Sequence, residues 1–212
     1  MFTEFDLENW ERKHLFHFFK AYNDPFFNIT GNVDVSTLYS FCKKHDYSIF
    51  LTSIFCCTNA ANLVQNFRLR IQNDKVIEYH KIDAGSTVLY EDQTFGFAYF
   101  DYEAEFSAFY NAAKPILDAN LSGKSFSPRD NDINMLHFSV IPWVAFTSFK
   151  HARRHNTTDT IPKVVLGKIF DDNDKKMMPI SVEVHHSLMD GLHVGLYFDQ
   201  LQKVINDLDN SR

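Results

Sequence analysis

From Ile180 onward apolar and polar residues alternate, with Ile180, Val182 and Val184 on one parity and Ser181 and Glu183 on the other. That is the period of a strand with one dry and one wetter face, and it carries His186 into the apolar row and His185 into the polar one. Past Gly191 the period changes: Val194, Tyr197, Phe198, Leu201, Val204, Ile205 and Leu208 recur at helical spacing. The segment therefore predicts strand, tight turn and helix, with His186 at the hinge.

The same patterning predicts the rest of the chain. Asp6 stands ahead of a helix running to about Tyr22 and closed by Pro25. Arg12 heads that helix's apolar row of Leu15, Phe16 and Phe19, a place where an arginine either snorkels to water or needs a carboxylate. Phe27 to Val35 reads as an extended or hairpin segment around Gly31-Asn32, and Ser36 as the cap of a helix to about His45. A more apolar helix covers Ile49 to about Asn66. A strand meander then spans Arg68 to Tyr102, with turns at Asn73-Asp74 and Glu91-Asp92. Glu103 to Asn120 is helical, and further strands fall at Met135 to Ser139, Val144 to Phe149 and Val164 to Phe170. The expected architecture is one α/β domain over residues 1–212, a mixed β-sheet covered by helices.

Composition narrows the function classes. The chain has 212 residues, 45% hydrophobic and 23% charged, ordinary globular values that argue against disorder. Its 22 Phe promise a core or pocket with much aromatic wall. A formal net charge of -6 argues against a general nucleic-acid surface. No apolar run spans a bilayer, and Met1-Phe2-Thr3-Glu4-Phe5-Asp6 lacks the regions of a signal peptide, so a cytoplasmic protein without membrane or nucleic-acid partners is expected. Cys42, Cys56 and Cys57 read as buried small hydrophobes, and the triplets at Asn28 and Asn156 match a glycosylation pattern that has no meaning without secretion.

For chemistry, a histidine ending a buried strand loses solvation for its charged form, and neutral imidazole is what a general base must be. Zinc held by His185, His186, Asp190 and His193 is disfavoured, because consecutive strand residues point to opposite faces. No Gly-x-Ser-x-Gly elbow occurs, and Gly123-Lys124-Ser125 lacks the glycine that a phosphate loop needs at Asp118. The basic loop His151-Ala152-Arg153-Arg154-His155 reads as a solvated surface turn.

The run Val184-His185-His186-Ser187-Leu188-Met189-Asp190-Gly191-Leu192-His193-Val194 resembles the signature of the trimeric, histidine-dependent chloramphenicol acetyltransferases. Their wider superfamily of CoA-dependent acyltransferases shares His-x-x-x-Asp-Gly. Phe138 to Phe149, with Ser139, Pro142 and Trp143, resembles a second family segment, and Trp10 and Arg12 resemble its N-terminal Trp-x-Arg. The resemblance implies a two-layer sandwich and a homotrimer with its site between subunits. It further implies acetyl-CoA as co-substrate, no metal, and a small-molecule alcohol as acceptor. His186 would be the general base, Ser139 the oxyanion donor, and Asp190 a structural carboxylate paired with Arg12. Phe19, Asn23, Phe95, Phe126, Lys163 and Val165 would stand at the acceptor, and Trp143, Lys168 and Ile169 at CoA.

Departures fall in the recognition parts. Val165 replaces a pocket threonine, Lys163 an apolar residue, and Asn23 a leucine, while Ser48 and Ile169 replace a phosphate-binding lysine and an adenine-stacking tyrosine. The alternative is a trimeric binding protein that sequesters a hydrophobic small molecule without turning it over.

Overall fold

The computed structural model describes residues 1–124, 126–129, 132–153 and 159–210. The triplet at 156–158, Arg154 and His155 of the basic loop, and Ser125 lie outside the described residues. The described chain runs β1 (Phe2–Glu4), α1 (Lys13–Lys20), β2 (Phe26–Asp34), α2 (Ser36–His45), α3 (Ile49–Leu63), β3 (Leu69–Gln72), β4 (Lys75–Tyr79), β5 (Asp83–Leu89), β6 (Phe95–Phe100), α4 (Phe106–Gly123), β7 (Met135–Val140), β8 (Lys163–Leu166), β9 (Phe170–Asp172), β10 (Lys175–His185) and α5 (Gly191–Asn206).

The main sheet has the order β2-β10-β8-β7-β5-β6, with β9 also paired to β10. Strand β7 runs parallel to both β5 and β8 and the remaining pairs are antiparallel, giving the mixed sheet expected. Val182 and Val184 of β10, Val164 and Leu166 of β8, and Leu136 and Phe138 of β7 face a core shared with α2, α3, α4 and α5. The alternate positions, Ser181, Glu183 and His185 on β10, Lys163 on β8, and His137 and Ser139 on β7, form a polar opposite face.

Local chemistry accounts for the places where boundaries moved. Asp6 caps a turn rather than the first helix: its carboxylate accepts from the Asn9 backbone N–H and side-chain amide, and α1 begins only at Lys13. Gly31-Asn32 makes no hairpin, because nine consecutive residues from Phe26 to Asp34 pair with β10. Ser36 is the first helical residue rather than the cap, and its hydroxyl donates to Asp34 while accepting from the Lys176 N–H. The meander splits into two sheets, since β4 pairs with β1 on one side and β3 on the other whereas β5 and β6 join the main sheet. Asn73 and Asp74 supply the left-handed turn between β3 and β4, at φ 51° and 63°.

No strand forms over 144–149. That segment is held against the end of the sheet by bonds from Ile141 N–H to Leu166 O (2.8 Å) and from Lys168 N–H to Val144 O (3.0 Å). Gly167 permits this approach, because a Cβ there would lie 2.5 Å from Pro179 Cγ and 2.9 Å from Phe146 Cε1. The three cysteines are buried and free, and burial raises all three thiol pKa values, Cys57 to about 12. Among the described residues no helix is long and apolar enough to cross a membrane.

Candidate active site

Strand β10 ends at His185, one residue earlier than the alternation implies, and His186 opens the turn that leads into α5. The parity expectation is therefore overturned at this one pair. His185 is the dry histidine, 7% exposed, whereas the His186 side chain keeps 31% of its surface. Burial, helped by the charge of Arg153, lowers the His185 pKa to about 4. Its Nδ1 accepts from the Ser187 backbone N–H at 3.2 Å.

His186 is held by its surroundings instead of by a dry strand. Its backbone N–H donates to Pro25 O at 2.7 Å. Its ring stacks on Phe19, with centroids 3.7 Å apart and planes 7° from parallel, and Phe27 packs at 4.6 Å. Nδ1 is buried and lies 3.2 Å from Asp190 Oδ1 without the alignment of a hydrogen bond. The surface that the ring retains therefore belongs to its outer edge, where Nε2 sits.

Arg12 does not snorkel to water; of its two alternatives it takes the carboxylate. Its Nε and Nη2 donate to the two oxygens of Asp190 at 2.7 and 2.6 Å, and Nη1 and Nη2 also reach the carbonyls of Ser187 (3.0 Å) and His186 (3.3 Å). Trp10 packs beneath the guanidinium, 5.0 Å from its ring centroid. A bidentate fork on a partly buried carboxylate is a strong, orienting contact. Burial works against the Asp190 charge, but the hydrogen bond and charge of Arg12 outweigh it and hold this carboxyl below its usual range. His193 completes the turn: its Nδ1 accepts from the Asp190 N–H at 3.0 Å.

Ser139 lies elsewhere. It lines a cavity of about 640 Å³ on the polar face of the sheet, together with Thr87, Phe95, Phe97, Tyr99, His137 and Lys163. Its hydroxyl makes no hydrogen bond among the described residues, and His186 is not part of this cavity's lining. One chain thus brings Arg12, Asp190, His186 and Phe19 together, and separately Ser139, Phe95 and Lys163. Phe126 joins the second group, 5.2 Å from Phe97 and 6.2 Å from Phe95.

Two expected acceptor residues are not in this cavity's lining. Val165 is fully buried in β8, and Asn23 is exposed in the turn after α1. At the expected CoA region Trp143 is 62% exposed, and Lys168 is exposed beside it through the bond to Val144 O. Ile169 packs against the core, and Ser48 is used as the cap of α3, where it accepts from the Leu51 N–H.

The cavity wall also holds residues that the sequence pattern passed over. Arg153 is no solvated loop residue: its Nε donates to Glu183 at 2.8 Å and its Nη1 to Asp159 at 3.3 Å. Asp159 in turn meets Lys163 at 3.1 Å. Burial opposes the Glu183 charge, but His151 and Arg153 prevail and bring its pKa down to about 2. The available signal was the polar row of β10, since Glu183 is the register partner of Lys163. No group of three or more His, Cys, Asp or Glu among the described residues is arranged to hold a metal ion.

Residues 1–202 match the family model described as chloramphenicol acetyltransferase. The chain belongs to the chloramphenicol acetyltransferase family. Membership makes it an acyltransferase. It is 27% identical over 207 residues to chloramphenicol acetyltransferase 3 of Escherichia coli, covering 97% of each chain. With a chloramphenicol acetyltransferase of Staphylococcus aureus the figure is 30% over 206 residues, covering 96% of this chain and 95% of the relative. A solved chloramphenicol acetyltransferase structure superposes with a TM-score of 0.87 at 28% identity, over 97% of this chain and all of the other. The dihydrolipoamide acetyltransferase of Azotobacter vinelandii superposes at 0.69 with 14% identity, a likeness of fold alone.

Proposed function

We propose that the chain, as one domain, is an acetyl-CoA-dependent O-acetyltransferase of the cytoplasm that acts on a hydroxyl of chloramphenicol or a similar small molecule. The observation that carries this reading is the grip of Arg12 on both the Asp190 carboxylate and the carbonyls of His186 and Ser187, which locks the imidazole at an open edge. With Nδ1 buried, Nε2 is the nitrogen left to meet an acceptor. It takes the hydroxyl proton as the oxygen attacks the thioester carbonyl, and the imidazolium returns that proton to the departing CoA thiolate. The products are the acetyl ester and CoA thiol. Asp190, fully engaged by Arg12, orients the turn and carries no proton.

Ser139, with its hydroxyl uncommitted, is the donor to the tetrahedral oxyanion. Because one chain keeps Ser139 apart from His186, the reading includes a site completed between copies in a homotrimer: the imidazole and Phe19 come from one subunit, and the cavity floored by Ser139 from the next. The exposed indole of Trp143 and the ammonium of Lys168 suit an extended, anionic thioester, and no metal takes part. Thiol release from acetyl-CoA, measured with and without chloramphenicol, tests the reading. Drug-dependent release is expected, and its absence at millimolar drug would remove the drug from the proposal.

The engagement of Ser48 as a cap and of Ile169 in the core favours one rival, a binding protein that has lost its hold on CoA. Calorimetry separates the two, since millimolar or tighter CoA binding rejects sequestration.

A further inference from the structure

His137 and Lys163 are register partners on β7 and β8, two register positions from the Ser139–Val165 pair and on the same face. Lys163 forms an ion pair with Asp159 at 3.1 Å, and Asp159 is already shared with Arg153 (3.3 Å) and the Ile161 N–H (2.8 Å). Beyond Asp159 the Lys163 ammonium has no acceptor among the described residues. His137 lines the same cavity and makes no side-chain hydrogen bond there. Burial lowers its pKa to about 4, so near neutrality it is an uncharged ring with a free N–H. Phe95 and Phe97 line the same cavity and supply its aromatic surface. A wholly apolar occupant would leave the polar wall's donors desolvated and unmatched, which strongly disfavours it.

We propose that the preferred acceptor, ahead of neutral chloramphenicol, is an amphipathic alcohol whose ring lies against Phe95 and Phe97 and whose carboxylate is received by Lys163 and His137. Two residues along a strand set that carboxylate roughly 7 Å from the reacting hydroxyl at Ser139. The proposal rests on the acetyl-transfer reading for the position of that hydroxyl. Lys163 and His137 are then specificity-determining residues for the acceptor.

The test compares 4-(hydroxymethyl)benzoate with its neutral counterpart, 4-methylbenzyl alcohol, by calorimetry on the full chain without acetyl-CoA. The benzoate is expected to bind on the order of tenfold tighter, about what one charge-assisted contact is worth. Lys163→Met is expected to cut that preference below threefold, and Lys163→Gln replaces it should the methionine variant fail to fold. A preference below threefold in the unaltered protein, no binding of the benzoate, or a preference of unchanged size in the Lys163 variants overturns the proposal. Binding is read without acetyl-CoA. Failure of thiol release with every acceptor would therefore sink the acetyl-transfer reading alone and leave the titration to decide this one.

Discussion

The turn after β10 and the polar face of the sheet hold histidines in opposite ways. At the turn, His186 is clamped by contacts around it: Phe19 and Phe27 on its faces, Pro25 O on its backbone, Arg12 and Asp190 behind it. On the sheet face His137 is placed by strand register alone, with its ring uncommitted, beside a chain of alternating charges from Glu183 through Arg153 and Asp159 to Lys163. The first arrangement fixes one ring orientation. The second leaves its polar groups uncommitted. Contacts from several elements therefore set the turn, whereas strand register alone sets the wall, so a substitution on the wall disturbs fewer partners.

That comparison breaks most sharply at His186. His186→Ala is expected to lower the rate of thiol release by about 10²–10⁴, the ordinary worth of a general base. A loss under tenfold in a folded variant would move the proton transfer elsewhere. Ser139→Ala is expected to cost about 10²–10³ in turnover. If the two groups meet across a subunit boundary, denaturing and refolding the two inactive variants together restores activity through mixed trimers. Mixtures no more active than either variant would place both groups of each site in one subunit.

A smaller effect separates clamp from base. Asp190→Asn removes a bidentate ion pair whose side chains are 12% and 29% exposed. A buried pair broken on one side costs about 3–5 kcal/mol, and this partial exposure reduces the expectation to about 2 kcal/mol. For a chain of this length that lowers Tm by roughly 4–8 °C. An unchanged Tm would deny Arg12 and Asp190 their structural role. The loss also has a pH signature: a carboxyl held below its unfolded value stabilises above that value, about pH 4, and ceases to as pH falls through the lower folded one.

A last test, spread over a pH interval, concerns His185, whose pKa falls from 6.5 to about 4. The unfolded chain takes up its proton first as pH drops, so stability present above about pH 6.5 declines toward pH 4, by about 3 kcal/mol in all. His185→Gln should flatten denaturant midpoints across that interval, leaving the parts due to His137, lowered to about 4 by the same burial, and to His193, which burial also lowers. Midpoints as steep as those of the unaltered protein would mean that His185 is not the desolvated group.

Much of this was legible in the residues. The alternation through Val184, the helical row after Gly191, the break at Asn73-Asp74 and the choice of Arg12 between water and a carboxylate all follow from short-range periodicity or from the cost of a buried charge. What failed did so where partners decide. The Arg68–Tyr102 meander split because pairing with β1 competes with pairing to the main sheet, and no local pattern ranks the two. His185 and His186 exchanged environments because the strand ended one residue early, at the turn held by Arg12. Arg153 read as a surface cation because its carboxylates, Glu183 and Asp159, belong to the wall that the loop folds against.

The sequence by itself determined the elements, the core parity and the identity of the groups at the turn, because these depend on side-chain period and on what each side chain can do chemically. The tertiary structure decided which histidine is dry, which hydroxyl is uncommitted and which cations share a wall. Those are properties of surroundings assembled from positions up to 178 residues apart, as between Arg12 and Asp190, and only the closed sheet brings them within bonding distance.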